Sequence, residues 1–155
     1  MSSSDDMISF RTLISRTRPA RILIGDDDDD FRGLLEAVLC GDGYHVDQAR
    51  DGIELINRIA DARFFPLEIP DVVIVDVMMP GCSGLAVLEA MRKAAWTTPV
   101  IVMTGLARPD VRTRAEELGA SAFFQKPFDM NDLRVAILEV HHAQTLRGRP
   151  GDAAP

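Results

Sequence analysis

Short apolar runs alternate with amphipathic stretches along the chain: Ile22-Leu23-Ile24, then Phe31 to Leu39, then Val46 to Ala49, then Ile53 to Ile59. That rhythm predicts a β-α-β-α chain. Two later runs, Val72-Val73-Ile74-Val75 and Val100-Ile101-Val102-Met103, are apolar at every position. A strand with one face in water would alternate, so these are expected to be central strands of a parallel sheet covered by helices on both faces. Ala122-Phe123-Phe124-Gln125 supplies a further strand. Local chemistry marks the helix ends: Gly41 and Gly43 stop the first, Asp51-Gly52 opens the second, Pro109-Asp110 starts the fourth and Gly119 ends it. Five strands and five helices result.

Three stretches fall outside this rhythm. Residues 1–19 form an extension in which Met7, Phe10 and Ile14 line one face of a short arginine-rich helix, or which stays disordered. The connection from Arg63 to Pro70 is apolar, bounded by prolines and longer than such a loop needs to be, so it packs locally or meets a partner. Residues 144–155 read as a flexible tail, with too little apolar content from Gly148 onward to fold. One domain at 20–143 remains between them.

A chain of 155 residues suits a single core. Its net charge of -7 sets it against nucleic acid and anionic membranes, whose phosphates it would repel. No apolar run is long enough to span a bilayer, and the opening residues lack the basic-then-apolar pattern of a secretion signal, so a cytoplasmic location is expected. Cys40 and Cys82 have no metal-ligand spacing and are expected to be reduced thiols. His45, His141 and His142 share no spacing that would join them at one site.

In an open parallel sheet, ligands bind beyond the carboxyl ends of the strands, so the informative residues are those that follow each apolar run. They are Asp26-Asp27 after the first strand, Asp76 after the third, Thr104 after the fourth and Lys126-Pro127 after the fifth. Three carboxylates, a hydroxyl and an ammonium would share one edge. Asp28, Asp29 and Asp30 suit a structural role instead, capping free amides and favouring the positive end of the first helix.

Taken together, Ile22-Leu23-Ile24-Gly25-Asp26-Asp27, the block Asp76-Val77-Met78-Met79-Pro80-Gly81, Thr104-Gly105 and Lys126-Pro127-Phe128 resemble, in order and spacing, the motifs of the response-regulator receivers. The match covers approximately Arg21 to His142. The resemblance implies a flavodoxin-like (βα)5 three-layer sandwich whose parallel sheet has the order 2-1-3-4-5, an order for which a receiver is itself a standard example. Strands one and three then become neighbours, bringing Asp26, Asp27 and Asp76 together, and carboxylates so close repel unless a cation lies between them.

That cation would be Mg2+, a hard ion that takes one or two carboxylates plus phosphate oxygens and waters. The resemblance assigns Asp27 and Asp76 as direct ligands, Asp26 as a ligand through water and the Met78 backbone carbonyl as a further one. It implies that Asp76 accepts a phosphoryl group from a histidine kinase, a histidine phosphotransfer protein or a small phosphodonor. Lys126 and Thr104 would each engage a phosphoryl oxygen, and Gly105 would leave room beside them. The Lys126–Pro127 peptide would be cis. Such a chain catalyses its own modification and slow autodephosphorylation, without acting as an enzyme on other substrates.

The resemblance also implies how the modification is read. Thr104 moves toward the phosphoryl group and Phe123 turns inward, altering the face made by helix four, strand five and helix five, where a downstream effector protein would dock. A homodimer is compatible with this scheme; direct nucleic-acid or membrane binding is not expected. Phe123 departs from the tyrosine that many receivers carry, and lacks its hydroxyl. Met78 and Leu106 occupy the positions flanking water access, and neither can orient a hydrolytic water, so slow dephosphorylation is expected. Gly25 stands where the family usually has a larger residue.

Three rivals share some of these residues. Asp26-Asp27-Asp28 satisfies the Asp-x-Asp pattern of a haloacid-dehalogenase-like phosphohydrolase, with Lys126 as its lysine, but Asp76 would then have no role and the chain has little room for a cap. A flavodoxin-like FMN carrier would need a hydroxyl-rich phosphate loop where five aspartates stand. A degenerate receiver acting as a binding module would lack core acceptor residues, and none is missing.

Overall fold

The computed structural model describes residues 18–147. The expectations for the extension before Arg18 and for the tail from Gly148 lie outside these residues. Strands β1 (Arg21–Gly25), β2 (His45–Ala49), β3 (Val72–Asp76), β4 (Val100–Thr104) and β5 (Ala122–Gln125) alternate with helices α1 (Asp29–Gly41), α2 (Gly52–Asp61), α3 (Gly84–Lys93), α4 (Pro109–Glu117) and α5 (Met130–Arg147). All strand pairs are parallel, in the order β2-β1-β3-β4-β5, as expected.

Every residue of β3 and β4 is buried, which is why their sequences do not alternate. Alternate residues of each strand feed two separate cores. Ile22, Ile24, Ile74, Ile101 and Met103 pack with Leu35 and Leu39 of α1 and with Leu133 and Ile137 of α5. Leu23, Val73, Val75, Val100 and Val102 pack on the opposite face with residues of α2, α3 and α4, including Leu55, Leu88 and Val111. Three layers follow, with two helices on one side and three on the other.

The helix starts obey the expected chemistry. Asp28 caps α1 by accepting from the amides of Asp30 and Phe31, and Asp51 caps α2 by accepting from Glu54. Gly25 now has a reason: a β-carbon there would lie 2.7 Å from Leu55 Cδ2, so its absence lets α2 seat against the end of β1.

One boundary differs from expectation. Gln144 to Arg147, assigned to the tail, continue α5, because no helix breaker occurs before Gly148. The long connection forms two single-turn 3-10 helices, Ala62–Phe64 and Pro66–Glu68, with Phe64, Phe65 and Leu67 exposed. No described helix is long and apolar enough to cross a membrane.

Candidate functional site at the carboxyl ends of the strands

Because β1 pairs with β3, and Gly25 lies opposite Val75, the residues that follow them emerge side by side. Asp26 and Asp76 are both buried, with side chains 1% and 7% exposed. Lys126, which follows β5, reaches across to both, its Nζ 2.7 Å from Asp26 Oδ2 and 2.5 Å from Asp76 Oδ2. Those three residues are separated by 50 and 100 positions in the chain, so only the sheet topology can assemble them.

The remaining carboxylate oxygens are held by backbone. Asp76 Oδ1 accepts from the Met78 amide at 2.8 Å, and Asp26 Oδ1 from the Asp28 amide at 2.9 Å. Below Asp76 the packing is tight: a β-carbon on Gly84 would come within 2.2 Å of the Asp76 carbonyl oxygen, so a glycine lets α3 begin directly against the end of β3. The Val77 amide donates to Met103, tying the same corner to β4.

Two carboxylates thus share one ammonium. Burial pushes the Asp76 carboxyl above its ordinary range; the bonds from Lys126 and the Met78 amide pull the other way, and the Asp26 charge adds to the rise. Burial also works against the charge on Lys126, but hydrogen bonds to Asp26 and Asp76 outweigh it and raise its pKa above the ordinary lysine value. The lysine therefore keeps its proton while the acids remain under-neutralised.

Thr104 is buried at the end of β4, one residue past Met103, which pairs with Asp76. Its hydroxyl accepts from the Leu106 amide at 3.0 Å, and its carbonyl accepts from the Lys126 amide at 2.8 Å. Gly105 borders open space, and the Lys126–Pro127 peptide is cis. Phe123 is half-buried in the core beneath α4, with the Arg112 guanidinium 5.6 Å from its ring centre. Met78 is exposed.

Asp27 lies at the rim of the cluster rather than within its hydrogen bonds. It is exposed, and among the described residues its side chain makes no hydrogen bond or ion pair and no three carboxylate, imidazole or thiol groups stand close enough to hold a metal by themselves. The donor set nevertheless suits a hard divalent cation: two fixed carboxylates under-neutralised by one lysine, and a third at the rim, offer oxygen ligands and excess negative charge. A dedicated protein cage is not what magnesium ordinarily requires.

Sequence reasoning missed two residues that touch this cluster. The Phe31 ring lies 4.2 Å from Lys126 Nζ, in cation–π range, and Arg32 donates to the Asp26 carbonyl at 2.6 Å. Both sit in the first turn of α1, where a lone aromatic and a lone arginine look like ordinary helix residues.

The residues that meet here give Asp76 the central place that the phosphohydrolase reading leaves without a role. Comparison with known proteins agrees. The sequence is 34% identical over 117 residues to sporulation initiation phosphotransferase F of Bacillus subtilis, covering 76% of this chain and 90% of that one. It is 36% identical to response regulator MprA of a Mycobacterium strain, covering 74% of this chain but only 47% of the relative, so the chain spans about half the length of such relatives. A CheY-like response regulator receiver domain protein from Methanospirillum hungatei superposes with a TM-score of 0.77 at 27% identity, over 84% of this chain and all of that one. The response regulator receiver domain profile matches residues 22–138, and the chain belongs to that family, the receiver domain of two-component signalling.

Proposed function

We propose that this receiver accepts a phosphoryl group on Asp76 from the phosphohistidine of a sensor kinase or phosphotransfer protein, in a reaction that requires Mg2+. The observation that carries the reading is the buried pair Asp26 and Asp76 gathered on the single ammonium of Lys126. Asp76 Oδ2 attacks phosphorus while the phosphorus–nitrogen bond breaks and its electron pair returns to the imidazole. Lys126 turns from the carboxylate to an incoming phosphoryl oxygen as a compact point charge, and the Thr104 hydroxyl offers a donor to another. The Met78 amide holds Asp76 Oδ1, so that one carboxylate oxygen is fixed and the other is directed.

Asp27, Asp76 and the Met78 carbonyl would hold the magnesium directly, with Asp26 reached through water. The ion supplies neutralising charge for the phosphoryl oxygens. Thr104 and Phe123 then pass the change to the face of α4, β5 and α5, where a partner protein binds. The acidic net charge favours a protein there over nucleic acid.

Incubation with acetyl phosphate and Mg2+, followed by intact-mass measurement, is expected to give one phosphoryl adduct on the wild type and none on Asp76→Ala or after chelation of the metal. An adduct that survives in Asp76→Ala would sink the assignment.

A further inference from the structure

Arg32 is a buried cation that no step above uses. It is 6% exposed, although burying a guanidinium is costly unless its donors are satisfied. Here they are, each by a different part of the fold. Nη1 donates to the Asp26 carbonyl at 2.6 Å, Nη2 to Asp29 Oδ1 at 2.5 Å, and Nε to Gln48 Oε1 on β2 at 2.8 Å. The Gln48 amide donates onward to the Glu36 carboxylate of α1, so the arginine is itself held in place. A leucine would fill this space without the cost of burying charge, but it could not hold a carbonyl.

The carbonyl it holds belongs to the peptide joining Asp26 to Asp27. The Asp26 amide is already fixed to the Ala49 carbonyl at 3.2 Å, and the Asp26 side chain to Lys126 and the Asp28 amide. The Asp27 side chain has no such partner, so the plane of the preceding peptide decides where it stands. A planar trans peptide with its oxygen anchored has its N–H, and the next Cα, anchored as well.

We propose that Arg32 is a positioning residue for the cation-binding part of the site, fixing the Asp26–Asp27 peptide so that both carboxylates meet a divalent ion in one arrangement. The proposal rests on the Mg2+-dependent reading given above. Lysine keeps the charge but offers a single point donor that cannot span three acceptors, so Arg32→Lys separates geometry from electrostatics. Arg92 is a matched control at the far end of the sheet, where its guanidinium donates to the carbonyls of Trp96, Thr98 and Gly119.

The test is direct titration of the unphosphorylated protein with Mn2+, reading free ion by electron paramagnetic resonance. Loss of an outer-shell partner commonly weakens metal binding at least tenfold, so Arg32→Lys is expected to raise the Mn2+ Kd about tenfold. Arg92→Lys should leave that Kd where it is, even if both variants lower Tm alike. An unchanged Kd in Arg32→Lys, or an equal rise in Arg92→Lys, overturns the proposal. Should Arg32→Lys fail to fold, Gln48→Ala decides: it leaves the arginine but removes one anchor, and a raised Kd supports the proposal while an unchanged one overturns it. If the wild type itself binds no Mn2+, the metal-dependent reading falls first and this proposal with it.

Discussion

The two ends of the sheet handle buried charge in opposite ways. At the amino end, Asp71 is buried, but it accepts the Arg21 amide at 2.8 Å and lies 3.9 Å from the Arg18 guanidinium, while Arg92 caps three carbonyls of the loops entering β4 and β5. At the carboxyl end, Asp26 and Asp76 compete for Lys126, and Asp27 stands unpaired beside them. One end is balanced and the other carries surplus negative charge. The edges of one sheet are thus divided: the balanced edge holds the loops, and the unbalanced one carries the surplus negative charge on which the proposed cation and phosphoryl chemistry rests.

The sharpest way to break this contrast is to remove the shared ammonium. Lys126→Met leaves two buried carboxylates facing each other, and breaking a buried ion pair by deleting one partner costs about 3 kcal/mol or more. Urea denaturation without metal is expected to show a loss of about that size, and millimolar Mg2+ should recover part of it by taking over the missing charge. A metal-free variant as stable as the wild type would mean that the cluster is not under-neutralised.

At the balanced end, Asp71→Ala strips the Arg21 amide and the Arg18 guanidinium of an acceptor. The expected cost is about 2 kcal/mol in the same denaturation measurement. The rate of phosphorylation by acetyl phosphate, followed by mass, should stay at the wild-type value. A large fall in that rate would show that the two ends are coupled and that the division between them is wrong.

Much of this contrast was legible in the sequence, and the rest was not, for reasons that particular residues make plain. Asp76, Thr104 and Lys126 could be read because each closes an apolar or aromatic strand, Asp76 and Thr104 directly and Lys126 one residue on, and a parallel sheet sends such residues to one edge. Asp27 was legible as an acid but not as the unpaired one, because pairing depends on backbone direction at the start of α1. Arg32 and Gly25 were opaque. Their meaning lies in contacts with the Asp26 carbonyl and with Leu55, and neither periodicity nor propensity reports a tertiary neighbour.

A smaller effect concerns how long the unbalanced end stays modified. On the proposed reading, Met78 and Leu106 stand beside the route of water to the phosphoryl group, and as apolar residues neither would orient a water for attack. Replacing them as Met78→Asn with Leu106→Glu is expected to speed loss of the adduct about tenfold by restoring a polar group near the line of attack. Mass measurement over time after removal of acetyl phosphate reads the rate. An unaltered lifetime would show that water access is not limited at these two positions.

The smallest expected effect tests what an exposed, balanced ion pair contributes to stability. Arg134 of α5 grips Asp42 just past the end of α1 in a bidentate pair of 2.7 and 2.5 Å, and this hydrogen bonding holds the Asp42 carboxyl below its ordinary range. A depressed carboxyl contributes stability that is present above its unfolded pKa and fades as the pH falls through the lower, folded value. Arg134→Ala should therefore lower Tm only slightly, by roughly a degree or two, at neutral pH, and the difference from wild type should vanish in strong acid, where both carry a protonated Asp42. Because this pair is exposed, salt should shrink the difference as well, whereas the loss caused by Lys126→Met, whose partners are buried, should persist. Equal salt sensitivity of the two variants would place Lys126 in a solvent-screened site and remove the physical basis for surplus charge at the carboxyl edge.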